Sequence, residues 1–106
     1  MAASSEFDVD TIVEGARTLV VVQGELDAYT SPRLGEEFTA MGDLTGRHVV
    51  VDLASVGFVD SAGLSALVVC LTGVRDAGGV VSMRAVPRQL AKLFEITGLA
   101  RLFPFE

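Results

Sequence analysis

Residues 48–77, HVVVDLASVGFVDSAGLSALVVCLTGVRDA, change hydrophobic period part-way along, and the fold class follows from that change. His48 to Leu53 is an almost continuous apolar run, the pattern of a strand covered on both faces and not of a half-exposed strand, which would alternate. From Ser61 to about Ala77 the spacing becomes three and four: Leu64, Leu67, Val68, Leu71 and Val74 form one apolar stripe on a helix of roughly 25 Å. Gly78 supplies the C-cap of that helix.

Working outward, Thr18 to Gln23 (TLVVVQ) repeats the continuous apolar pattern and is a second central strand. Residues 6–14 (EFDVDTIVE) alternate around Phe7 and Val9, which suits a half-exposed strand turning at Gly15. Val80 to Ala85 (VVSMRA) gives a fourth strand after the Gly78-Gly79 break. A helix begins at Ser31-Pro32, with Ser31 as N-cap, Pro32 in the first helical position, and Leu34, Phe38 and Met41 on one face. The last long helix starts at Pro87, turns Leu90, Leu93 and Phe94 to the core and stops at Gly98; Leu99 to Phe105 packs as a final turn. Strands alternating with helices imply a mainly parallel sheet, and the two N-terminal strands an antiparallel edge pair. The expected fold class is α/β: a single mixed, mainly parallel β-sheet with helices packed against it.

At 106 residues, half of them apolar, the chain can bury one core, and residues 1–106 read as a single domain. The net charge of −6, with seven arginines and one lysine scattered along the sequence, lacks the basic footprint of a nucleic-acid or anionic-membrane binder. No run reaches the length of a membrane span, and Met1 to Asp10 is acidic without a basic leader region, so a cytoplasmic protein is expected. Cys70 reads as a small buried hydrophobe.

The chemistry-bearing segment is Phe58 to Leu67, FVDSAGLSAL, where a buried strand passes into the amphipathic helix. Strand C-termini in such sheets open onto crevices, and a helix N-terminus there offers unpaired N–H groups and partial positive charge, suited to a phosphate. Ser61 falls at the N-cap or in the first turn, Asp60 beside it can cap the same groups, and Gly63 keeps an approaching anion clear of a Cβ. The same Asp-Ser pair also suits plain helix capping with no further role.

The chain from about Thr18 to Phe103 resembles a STAS domain, and within that family the stand-alone bacterial anti-sigma factor antagonists. Gly24-Glu25-Leu26-Asp27 closes the second strand as the family's G-E-L-D does. Asp60-Ser61-Ala62-Gly63-Leu64, reached from Val51-Asp52-Leu53 through Phe58-Val59, is similar to the family's D-S-x-G-L, and Leu93-Phe94-Glu95-Ile96-Thr97-Gly98-Leu99 matches on the last helix. The resemblance implies a non-enzymatic protein that binds an anti-sigma factor with serine kinase activity, frees a sigma factor, is phosphorylated on Ser61 and is reset by a metal-dependent serine phosphatase. The motif often carries a second hydroxyl where this chain has Ala62, which leaves Ser61 as the phosphoacceptor and Ser65 as the alternative one turn on. Asp27 is expected to shape the switch site or else to cap the turn into Thr30-Ser31; Tyr29 and Thr30 border the partner surface. A STAS module in a larger signalling complex, or a transporter-associated small-ligand-binding module, would share the fold.

Other activities lack their residues. VDSAG has no leading glycine for a G-x-S-x-G elbow, and the one histidine, His48, opens a strand at the opposite end of the sheet. No phosphate-binding G-x-x-x-x-G-K-[ST] loop is present, and one His with one Cys gives no metal or cofactor site.

Overall fold

The computed structural model describes residues 7–106, so Glu6 and the acidic start of the chain lie outside the described residues. The elements run β1 (Asp8–Glu14), β2 (Arg17–Leu26), α1 (Ser31–Thr39), β3 (His48–Val59), α2 (Ser61–Asp76), β4 (Val80–Arg84), α3 (Arg88–Thr97) and α4 (Leu99–Leu102). One sheet has the order β1-β2-β3-β4. β1 and β2 are antiparallel across the turn at Gly15, whereas β2–β3 and β3–β4 are parallel, the mixed sheet expected from the sequence.

Both parallel connections step in the same direction across the sheet, so right-handed crossovers bring α1 and α2 to the same face. There Val20, Val22, Val49, Val51, Val81 and Met83 form one core with Leu34, Phe38, Leu67, Leu71 and Val74, joined by Leu90, Phe94 and Phe103 from the C-terminal segment. The expectation that β2 and β3 are covered on both faces holds at the centre of β3, where Val49, Val50 and Val51 are all buried, and is corrected for β2, whose Leu19 and Val21 are only partly buried. The other face, with Leu19, Val21 and Val50, contributes nothing to that core. It carries polar pairs instead: His48 Nε2 with Ser82 Oγ at 2.9 Å, Arg84 with Asp52 at 2.8 Å and Arg17 with Glu106 at 3.1 Å.

β2 and β3 run further than their apolar cores, β2 as far as Leu26. β3 continues through Ala54, Ser55 and Gly57 to Val59, with register irregularities against β2 between Val21 and Gln23 and between Gly24 and Glu25. Such irregularities re-aim side chains within a strand, and Phe58 emerges half-exposed. β4 stops at Arg84, opposite Asp52. At that point Asp52 accepts the Ala54 N–H at 2.9 Å.

The helices need smaller corrections. α1 is preceded by Thr30 as N-cap, so Ser31 is its first residue, and Met41 falls beyond its end. Leu93, expected in the core, is exposed, whereas Leu90 and Phe94, one turn apart, are buried. Gly98 ends α3 with φ of 81°, a left-handed cap. The tail after α4 does more than make a turn: Met83 N–H donates to Pro104 O at 2.9 Å, and Glu106 N–H donates to Met83 O at 2.6 Å. No described helix is long and apolar enough to cross a membrane.

Candidate functional site

β2 and β3 are parallel and end together, with Leu26 opposite Val59, so the segments that follow them share one rim of the sheet. The Asp60 N–H donates to Leu26 O at 3.2 Å and ties the two segments together. Asp60, in extended conformation, is the N-cap of α2, and its Oδ1 accepts the Gly63 N–H at 2.8 Å. Its carbonyl takes the Leu64 N–H at 2.8 Å, which closes the first turn.

Ser61 is the first residue of α2, and it is exposed, as is Ala62. Among the described residues neither the Ser61 hydroxyl nor the N–H groups of Ser61 and Ala62 has a hydrogen-bond partner. A nucleophilic oxygen is thus held at a helix N-terminus where two orphan donors and the positive end of the helix dipole would receive an added phosphate.

Gly63 has a different role from the one expected. It is buried, its N–H is already taken by Asp60, and a Cβ built on it would overlap the carbonyl of Leu26. The glycine allows α2 to rest on the end of β2 and does not admit an anion. Ser65, one turn further along α2, is exposed as well.

The β2–α1 segment is built around Asp27. Its Oδ1 accepts the Tyr29 N–H at 2.9 Å and the Thr30 N–H at 3.1 Å, the local turn-capping role that an Asp in a loop can take. No hydrogen bond joins Asp27 to Ser61. Thr30 Oγ1 donates to Glu25 O at 2.8 Å and accepts the Asp27 N–H at 2.9 Å, so its hydroxyl is committed within the loop. Tyr29 is 93% exposed. The rim also presents Glu25 and Phe58, which the motifs did not single out; Phe58 stands outward because of the irregular pairing at Gly57, a feature with no signature in the residue types.

Away from the rim, His48 stands at the first residue of β3, eleven residues before the strand ends at Val59, so it takes no part in the site. Burial would push the Asp52 carboxyl up, but the Ala54 N–H and the Arg84 guanidinium outweigh it and hold it below its ordinary value. Burial pushes the Cys70 thiol up to about 11, in line with a small buried hydrophobe.

The family model described as Mlab, STAS domain matches residues 10–104. The chain is 35% identical over 95 residues to the anti-sigma-B factor antagonist of Staphylococcus aureus (strain NCTC 8325 / PS 47), covering 90% of this chain and 88% of the relative. The crystal structure of an anti-sigma factor antagonist from Mycobacterium paratuberculosis is similar with a TM-score of 0.80 at 25% identity, over 99% of this chain and 89% of that one. The Bacillus cell fate determinant SpoIIAA in its phosphorylated form shares the fold with a TM-score of 0.72 at 16% identity, over 95% and 91% of the two chains. A family match that runs from β1 to the tail beyond α4, beside a relative sharing a third of its residues along nearly the whole length, shows that this chain belongs to the STAS domain family.

Proposed function

We propose that this protein is an anti-sigma factor antagonist: with Ser61 free it binds an anti-sigma factor that is also a serine kinase, a sigma factor is released, and phosphorylation of Ser61 ends the complex. The observation that carries the reading is the Ser61 hydroxyl, exposed and without a hydrogen-bond partner among the described residues at the start of α2. The relatives named as antagonists support the same role.

In the transfer step the Ser61 oxygen forms a bond to the γ-phosphorus of ATP held by the kinase. The bond from that phosphorus to the bridging oxygen breaks, ADP leaves, and the serine proton passes to a base on the kinase. A serine phosphatase reverses the mark: water adds to phosphorus, the bond from the Ser61 oxygen to phosphorus breaks, inorganic phosphate leaves and the hydroxyl is restored. The chain itself contributes an acceptor and a binding surface and turns over nothing; it acts in the cytoplasm, with neither nucleic acid nor membrane as a partner.

Charge is sufficient for the switch. Phosphorylation adds about −1.5 to −2 charge, and Asp60 is the adjacent residue. Two unit charges about 4 Å apart repel by about 4 kcal/mol at an effective dielectric near 20, an upper figure that exposure and salt reduce. The modified helix itself stays favourable, because the negative group lies at its positive end. On the partner side, about 2 to 3 kcal/mol of lost complementarity corresponds to roughly 30- to 140-fold weaker binding. Asp27 and Thr30 support this surface by shaping the neighbouring loop.

The test is a binding titration of wild type, Ser61→Ala and Ser61→Glu against the kinase-type anti-sigma factors of the source organism. Ser61→Ala should bind as wild type does, and Ser61→Glu at least tenfold more weakly; equal binding by all three would contradict the reading.

A further inference from the structure

Tyr29 is the most exposed of the described large hydrophobic side chains, at 93%. Its backbone is nevertheless tightly held. Asp27 Oδ1 accepts the N–H groups of Tyr29 and Thr30, Asp27 O accepts the Ser31 N–H at 2.9 Å, and Thr30 Oγ1 bridges Asp27 N–H and Glu25 O. These bonds order the loop before any partner arrives, while the ring packs against nothing in the fold. Holding an aromatic ring in water on an ordered loop brings no gain within the chain. It does lower the entropic cost of binding, because the backbone is already fixed and a tyrosine has few side-chain torsions to lose.

The location gives the ring a partner. The loop leaves the sheet at Leu26, whose carbonyl takes the Asp60 N–H, so Tyr29 stands on the same rim as Ser61. Two acidic residues belong to the same segment. Asp27 Oδ2 and the Glu25 carboxylate hold no hydrogen bond among the described residues. A surface that presents one protruding ring among free carboxylates complements an apolar recess edged by basic side chains.

We infer that Tyr29 is the anchor by which the kinase partner grips this chain, its ring entering an apolar pocket with lysine or arginine at the rim. The inference rests on the reading of Ser61 as phosphoacceptor, since it is the shared rim that assigns the ring to the kinase. Contacts to Tyr29 then hold the complex while Ser61 is presented.

The experiment measures binding of wild type, Tyr29→Ala and Tyr29→Phe to each kinase-type anti-sigma factor of the source organism, with Ser61 phosphorylation rates and light scattering on the same proteins. Truncation of a hot-spot aromatic should weaken binding by about 30-fold. Tyr29→Phe should stay within about threefold, because it keeps the ring. Tyr29→Ala should raise the KM for the phosphoacceptor and leave kcat near wild type, with an unchanged far-ultraviolet circular dichroism spectrum; a merely structural tyrosine would lower stability instead. Binding by Tyr29→Ala within twofold of wild type overturns the anchor. A wild-type dimer that Tyr29→Ala converts to monomer also overturns it, since the ring would then serve a second copy. Wild type that binds through Tyr29 yet takes no phosphate at Ser61 supports the anchor and contradicts the switch alone.

Discussion

Gly63 in the first turn of α2 lies directly against the backbone carbonyl of Leu26 at the end of β2, where a methyl group would overlap it. That carbonyl also accepts the Asp60 N–H, so the helix that begins with Ser61 is seated on the strand that leads into the Asp27–Thr30 loop. The position of the Ser61 hydroxyl relative to the rim therefore depends on a residue that has no side chain.

Gly63→Ala should consequently destabilise the protein. Backbone cannot yield as a flexible side chain can, and overpacking of this kind costs about 1 to 3 kcal/mol. The midpoint of urea unfolding should fall with the m-value unchanged, and phosphorylation of Ser61 should slow because the first turn is displaced. A midpoint equal to wild type would mean that α2 can lift off Leu26 at no cost.

Asp60 separates two roles by substitution. Asp60→Ala removes the Oδ1 bond to Gly63 N–H and should cost about 1 kcal/mol. Asp60→Asn keeps an acceptor oxygen and should stay close to wild type in stability, while it removes one of the charges that confront the phosphate. Phosphorylated Asp60→Asn should therefore keep more affinity for the kinase partner than phosphorylated wild type, as a titration of the two modified proteins would measure.

Cys70 offers a check on the core beneath α2. With its thiol pushed up to about 11 by burial, it should resist iodoacetamide at pH 8 in the folded protein and react once urea unfolds the chain, since the thiolate is the reactive form. The unfolded thiol loses its proton at lower pH than the folded one, so stability should fall as pH rises from about 9 towards 11. Rapid labelling of folded protein at pH 8 would show the thiol to be accessible.

At the other side of the sheet, Asp52 is held below its ordinary value by Ala54 N–H and Arg84 despite partial burial. A carboxylate depressed by folding contributes stability above its unfolded value, and that contribution is lost as pH falls through its folded value. Asp52→Asn should weaken the protein modestly at pH 7 and flatten its acid unfolding curve below about pH 4. An acid unfolding curve parallel to wild type would remove Asp52 from that role.

The change of period between His48–Leu53 and Ser61–Ala77 made β3 and α2 legible, and the alternation around Val9 made β1 so, because each pattern reports the face that a core requires. Val49, Val50 and Val51 in sequence suggested cover on both sides. Only the shared direction of the two crossovers sends α1 and α2 to one face, leaving Val50 outside the main core. The end of β3 was hidden by Ala54, Ser55 and Gly57, poor strand residues accommodated by irregular pairing with β2. At the site, Asp60 and Ser61 were readable as a cap and a first-turn hydroxyl, and Asp27 as a possible turn former. A glycine in a first helical turn looks the same whether it faces solvent or a neighbouring carbonyl, so the role of Gly63 became visible only with Leu26 in place. Tyr29 was a bordering residue in the sequence; its exposure on an ordered loop is a property of the folded rim.

The central claim is most directly tested by tandem mass spectrometry of the protein after incubation with a kinase-type anti-sigma factor of the source organism and ATP. The account predicts a single phosphoryl group, located on Ser61 and absent from Ser61→Ala. Phosphate on Ser65 or elsewhere, or undiminished modification of Ser61→Ala, would contradict it.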